Sequence, residues 1–414
     1  MSDRPLKAIM SKLIQPHVLG SLVIRDFRML LGSSFVIYAC NIMEMVVLGW
    51  LINDMTRSVE SVTTGMFLRM APVLPMSLVA GTLADRYNRR KILIWNQLGG
   101  LTTIGIMAFL ILSGSIELWH IYAVAPIRGM FFALELPVRR ALVMDLVGQN
   151  RITNALSIDA MIMMSANILG PLTGGLLIDA LGVGSSYIFM LVLSAFGIIL
   201  LLGLRIPNND TGSKVESMLR SIIEGLRYAL THPVILPTFA ITLFMNLLVF
   251  PFRQVLPVFQ TDIYKVDATG LGLLNSSIGV GAFIGAMLLA FFGARFLKSH
   301  VYLLGSIIMG VLLVLFSLSS SFELSLLFLF IQGVGFAGFH VMQGTIPLSV
   351  ADEDKRGRVM GAMQLAIGAG PLGVLLVGVL SSVLGVQMAV GCMAGTLTII
   401  MIIILLGFPK LRRV

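Results

Sequence analysis

The chain has 414 residues, 57% of them hydrophobic and 12% charged, about half the charge of a soluble domain, for which roughly 25% is usual. With a mean hydropathy of +0.96, so much apolar surface does not fit inside one soluble core, and lipid must be the solvent for most of it. The net charge of +9 does not read as a nucleic-acid footprint, because the basic residues sit in short loops between apolar runs.

In chain order, Arg4, Lys7 and Lys12 lead into a polar stretch, and the first apolar run begins only after Arg28, which does not read as a cleavable signal. A membrane-crossing helix needs about 20 mostly apolar residues. Such runs fall near 29–52, 62–84, 92–113, 119–138, 153–178 and 185–204, then near 234–259, 269–292, 301–319, 324–348, 358–383 and 387–407. They are numbered below as spans one to twelve. The divider at 205–232 opens on the turn formers Pro207, Asn208, Asn209 and Asp210. It continues with Val215, Met218, Leu219, Ile222, Ile223, Leu226 and Leu230 at helical spacing, with Lys214, Arg220 and Arg227 among them. That pattern predicts an amphipathic helix lying on the membrane surface, a solvent-facing linker helix being the alternative. Cys40 and Cys392 both lie in apolar runs, which gives neither a disulfide framework nor a metal-ligand spacing.

The expected architecture is an all-α membrane protein: a six-helix half over 1–205, a cytoplasmic linker over 206–232 and a second six-helix half over 233–414. If both termini are cytoplasmic, only Arg57 and Lys265 fall on the outer side and Arg69, Arg128 and Arg253 within spans. The cytoplasmic segments then hold 24 of the 29 Lys and Arg. So one-sided a distribution predicts that orientation. Ala166-x-x-x-Gly170-Pro171-Leu172 in span five recurs as Ala366-x-x-x-Gly370-Pro371-Leu372 in span eleven, as in transporters built from two parallel halves around a central path.

The loop between spans two and three reads Gly81-Thr82-Leu83-Ala84-Asp85-Arg86-Tyr87-Asn88-Arg89-Arg90-Lys91. It resembles the signature of the major facilitator superfamily, G-x-L-a-D-r-x-G-r-[rk], with Asn88 in place of a glycine. Asn tolerates a left-handed backbone better than most residues, so a tight turn is expected there. The loop suggests a latch. Asp85 would accept from the exposed N–H groups at the start of span eleven, near Arg356-Gly357-Arg358. Arg89 would pair with Glu135 at the foot of span four, with Gly81, Arg86 and Arg90 completing the motif. A cluster that only sets topology is the plainer reading. The corresponding loop of the second half, Gly293-Ala294-Arg295-x-x-Lys298, is degenerate.

Ala166-Asn167-Ile168-Leu169-Gly170-Pro171-Leu172-Thr173-Gly174-Gly175 resembles the g-x-x-x-G-P-x-x-G-G motif that the superfamily associates with exporters. Pro171 removes one backbone bond and is expected to bend span five, and Gly170, Gly174 and Gly175 let a neighbour pack closely. A packing kink without bearing on direction is the alternative. Arg25-Asp26-Phe27-Arg28, the segment from Pro137 through Arg139-Arg140-Ala141 to Asp145-Leu146-Val147, and Arg356-Gly357-Arg358-Val359-Met360-Gly361 look like the branch containing enterobactin exporters and macrolide efflux proteins.

Charges within spans cost roughly 2.5–3.5 kcal/mol each on insertion scales and therefore face the bundle interior. The resemblance links an arginine such as Arg128 in span four to proton coupling, and Glu44 in span one is its expected partner. That pair reads either as a site where a proton or substrate competes for Glu44 or as a permanent ion pair. Asp159 shares a helical stripe with Met163, Ala166 or Asn167, and Gly170. It is a second candidate for gating or proton exchange, or a helix-end acid paired with a loop arginine. Asn41, Asn246, Arg253, Gln332, His340 and Gln343 are candidates to line the substrate cavity, His340 equally as a hydrogen-bonded structural histidine. Met and Phe would supply an adaptable apolar wall.

The expected protein is a multi-pass transporter of a bacterial inner membrane. It would export a small amphipathic molecule by alternating access, with proton antiport. Its expected partners are the substrate, protons and the lipid bilayer, without nucleic acid, cofactor or metal, and it is expected to be a monomer. An importer or facilitator of the same fold is the first alternative and a membrane enzyme or receptor the second. No G-x-x-x-x-G-K-[ST] segment is present to bind ATP, and the five histidines and two cysteines form no convergent catalytic set.

Overall fold

The computed structural model describes residues 20–205, 218–292 and 296–413, and among them there is no strand. Eleven helices of the described residues are long and apolar enough to cross a membrane. Span one is Arg25–Thr56, span three Arg89–Leu112, span four Leu118–Val147, span five Ile152–Leu181 and span six Val183–Leu202. The later half continues with Ile235–Tyr264 as span seven, then Ala268–Phe292, Lys298–Leu318, Phe322–Val350, Glu353–Leu384 and Val386–Gly407 as spans eight to twelve.

Span two is not one helix. It consists of Val59–Met70 and Val73–Arg86, separated at Ala71 and Pro72. Proline has no N–H to give and its ring crowds the carbonyl four residues back, so the helix breaks where Pro72 enters. Ser58 caps the first piece through Ser61 N, and Arg57 leaves span one in the left-handed region at φ 48°. The turns from span five to six and from span eleven to twelve are single glycines, Gly182 at φ 82° and Gly385 at φ 80°. A side chain would strain either turn.

Span seven departs most from a regular helix. After Ile235–Phe244 it widens to a π-helical turn over Met245–Val249, tightens to a 3-10 segment over Phe250–Val255, and widens again over Phe259–Tyr264. Pro251 and Pro257 each withhold an N–H, so the ladder changes register around them. The repeated Gly-Pro motif also takes two forms. Pro171 lies inside an unbroken span five, whereas Gly370-Pro371 opens a new helix after span eleven pauses at Gly368 and Ala369.

Spans five and eight run against each other across the two halves of the chain, as do spans two and eleven. Besides Ser276 Oγ of span eight, which donates to Ile168 O of span five at 2.7 Å, cross-half bonds form at the end where the loops carry Arg57 and Lys265, the charge-poor end. Asn53 Nδ2 donates to Pro257 O at 3.2 Å and to Thr261 Oγ1 at 3.1 Å. Asp179, near the end of span five, accepts from the first-turn amides of span eight, Ala268 N at 3.0 Å and Thr269 N at 2.6 Å. A carboxylate at a helix N-terminus satisfies orphan N–H groups and complements the dipole.

The amphipathic helix predicted after span six is present over Met218–Thr231; the part of the prediction on 206–217 lies outside the described residues. It packs on the start of span eleven rather than standing free. Glu224 meets Arg358 at 3.1 Å, Tyr228 Oη meets Asp352 at 3.2 Å, and Ala229 is buried with Ile235, Ala351 and Val359. Ile223 and Leu230 remain exposed, an apolar edge suited to a membrane surface.

Candidate functional site

Glu44, Arg128 and Asn41 meet as one buried cluster between spans one and four. Arg128 Nε donates to both Glu44 oxygens at 2.9 Å, its Nη2 reaches Glu44 Oε2 at 2.7 Å, and the same nitrogen donates to Asn41 Oδ1 at 3.1 Å. A third charge joins them, since Arg69 Nη1 lies 3.0 Å from Glu44 Oε2. All four residues are under 10% exposed. One carboxylate therefore serves two guanidinium groups. Arg69 was passed over as a site residue, although the reasoning that singled out Arg128 applies equally to a charge at 69. Gly129 makes the arrangement possible: a Cβ there would collide with the carbonyl oxygen of Arg69, so only glycine lets span four close on span two.

Asn41 was expected in the cavity. It belongs to this cluster instead, because it lies three residues before Glu44 on the same helical face. Its Nδ2 is taken up by Ile37 O at 3.0 Å and its carbonyl faces Arg69.

A second buried network lies deeper toward the basic end. Glu135 accepts from Asn96 at 2.8 Å and Gln97 at 2.7 Å, and pairs with Arg139 one turn later in span four. Arg139 also donates to Ser34 Oγ at 2.9 Å and stands over the ring of Tyr38, whose Oη donates to Asp159 Oδ2 at 3.2 Å. Asp159 Oδ1 is buried with no partner. Asp159 thus faces span one through Tyr38, not a loop arginine.

The expected pairing of Arg89 with Glu135 is not what forms. Arg89 reaches Asp145 at 2.6 Å. Span four runs on to Val147, well past the apolar run, so Glu135 lies about 15 Å from Asp145 along the helix at 1.5 Å per residue, beyond the reach of the loop. Arg90 caps the end of span six by donating to Leu201 O at 3.2 Å and Leu202 O at 2.6 Å. Asn88 does not adopt the left-handed turn expected of it. At φ −59° it caps span three, its side chain accepting from Lys91 N at 3.1 Å. The side chains of Gly81, Asp85 and Arg86 lie outside the described residues, and with them the expected latch.

The exporter-like motif packs backbone on backbone. A Cβ on Gly170 would sit 2.8 Å from Ala39 O of span one, and one on Gly175 would strike Ala268 O of span eight. Span five is thereby wedged between span one of its own half and span eight of the other. Pro171 offers its carbonyl to this contact rather than to the cavity, with Gly272 of span eight pressed against it.

Between the halves lies a cavity of about 420 Å³, within the range of small-molecule sites. Met45, Met66, Met70, Phe132, Phe250 and Phe336 form much of its wall, and Asn246, Arg253 and Gln332 line it. Asn167, Gln254, Asn275 and Gln364 line it too; the sequence marks Asn167 only through the span-five motif, and Gln254, Asn275 and Gln364 through no motif. His340 and Gln343 are bonded to each other at 3.1 Å and lie away from the lining. They stand two turns and more beyond Gln332, and His340 stacks on Phe336.

A family model described as a transmembrane secretion effector matches residues 18–413. The multidrug efflux pump Tap of Mycolicibacterium fortuitum is 24% identical over 371 residues, covering 87% of this chain and 90% of that one. The enterobactin exporter EntS of Escherichia coli O1:K1 is 27% identical over 368 residues, covering 87% and 86%. Among solved structures, the nucleoside transporter NupG shares the fold with a TM-score of 0.76 at 14% identity, over 93% of this chain and 100% of that one.

Proposed function

The chain belongs to the major facilitator superfamily, among its transmembrane secretion effectors, and on that premise we propose that this multi-pass transporter exports a small amphipathic molecule across a bacterial inner membrane by proton-coupled alternating access. The observation that carries the reading is the amide- and Met-lined cavity between the halves, closed at the charge-poor end by Asn53 and Asp179. With both termini cytoplasmic, that end is the outer face and the cavity is in its inward-facing state. Export is supported by the efflux activities named for Tap and EntS and by the Gly170-Pro171 seam. Glu44 and Asp159 are the carboxyl groups proposed to take part in proton exchange, Glu44 because substrate or a proton can compete with its arginines.

Cells expressing the protein should accumulate less substrate than cells without it, and a protonophore should abolish the difference. Greater accumulation would make the protein an importer, and indifference to the protonophore would remove protons from the mechanism. Asp85 is proposed to hold the outward-facing form by accepting from the start of span eleven. Asp85→Asn is then expected to lower efflux by about tenfold or more, the cost of one charge-assisted contact, with membrane abundance intact. Wild-type efflux in that variant would refute the latch.

A further inference from the structure

Given the transport reading, on which this step rests, we propose that the substrate is an anion: an amphipathic molecule whose carboxylate or related oxyanion pairs with Arg253. On the cavity wall, Arg253 is the one formally charged residue among the described residues. Among the described residues no carboxylate or hydrogen-bond acceptor pairs with its guanidinium. An arginine at membrane depth is costly unless it finds an anion or water, and the three buried arginines of the described spans each contact a carboxylate. Glu44 answers Arg69 and Arg128, and Glu135 answers Arg139.

A second, independent observation lies across the cavity. Gln332 is 1% exposed, lines the same space, and has neither its amide nitrogen nor its amide oxygen bonded. A buried amide without partners is expensive, so the site is built to receive a polar group there. Asn246, Gln254 and Gln364 set further amides around it. The Glu44 cluster, although outside the lining, adds to the same sign, because it carries two guanidinium groups against one carboxylate. A cationic substrate would meet the charge of Arg253 with no carboxylate beside it on the described lining. An anionic one would complete Arg253 while its apolar body lies on Met66, Met70 and Phe250.

Three dansyl probes of one chain length test this: dansyl-6-aminohexanoate, its primary amide, and dansylcadaverine, which ends in an amine. Their binding is measured by dansyl emission with the purified full chain in detergent, and their movement in proteoliposomes. The carboxylate is expected to bind about tenfold or more tighter than the amide or the amine, a charge-assisted bond against a neutral one. Arg253→Gln should bring the carboxylate-to-amide ratio to about one and Arg253→Lys should keep part of it, gel filtration confirming that both variants are folded. Equal binding of the three probes, absence of carboxylate binding, or a ratio that survives Arg253→Gln would overturn the proposal. A carboxylate that binds through Arg253 but is not moved would uphold the charge preference and refute transport of this probe class instead.

Discussion

Glu44→Gln is expected to destabilise the folded protein by about 3–5 kcal/mol, the usual cost of removing one partner from a buried ion pair. The variant leaves Arg69 and Arg128 facing each other at membrane depth with no anion between them, and transport should fall with stability. The three sites should rank by what each deletion strands. Arg128→Gln costs less, because Arg69 still holds Glu44 at 3.0 Å. Arg69→Gln costs least, because it leaves a neutral pair bound through three short contacts. Thermal unfolding in detergent gives the order directly, and a Glu44→Gln variant that melts with the wild type would show that the cluster is solvated rather than sealed. If a folded Glu44→Gln protein still exchanges substrate for protons with the same pH dependence, Glu44 is not the coupling acid.

Asp179→Ala should shift the protein toward the state open at the charge-poor end. The carboxylate caps the first turn of span eight from the other half of the chain, and losing such a cap costs about 0.5–2 kcal/mol, which corresponds to a shift of roughly 2- to 30-fold in a two-state equilibrium. Asp179→Asn keeps one acceptor and should shift it less. Spin labels at Arg57 and Ser320, one on each half at that end, would report a second, longer distance gaining population. An unchanged distance distribution would mean that Asp179 only caps a helix and does not hold the halves together. The contact has the logic the sequence suggested for Asp85, an acid of one half on a helix start of the other. Here it lies at the opposite end, at a residue that no motif marked.

The positions of the spans were legible because lipid imposes length and apolarity on every crossing helix. Glu44 with Arg128 was legible for the converse reason: an ionised group in such a run needs a partner. What stayed hidden was geometry that hydrophobicity does not encode. Arg139 and Arg140 follow an apolar run and read as loop, yet span four continues for two turns and Arg139 is wholly buried, which moved Glu135 out of reach of Arg89. Pro72 in an apolar run was not weighed as a break, and Pro251 and Pro257 were not weighed as a change of helix type. The two Gly-Pro repeats were legible as a repeat but not as different structures, because span five is held between neighbours on both sides while span eleven pauses beside the cavity.

Alternating access requires a passage that opens to one side at a time. Single cysteines at Gln332 or Asn275, in a chain with Cys40 and Cys392 replaced, would be challenged with a membrane-impermeant maleimide in right-side-out and inside-out vesicles. The wild-type background should label from the side that carries the basic loops, and the Asp179→Ala background should gain labelling from the other. Labelling from both sides at the same rate in the wild type, or from neither in either background, would contradict alternating access.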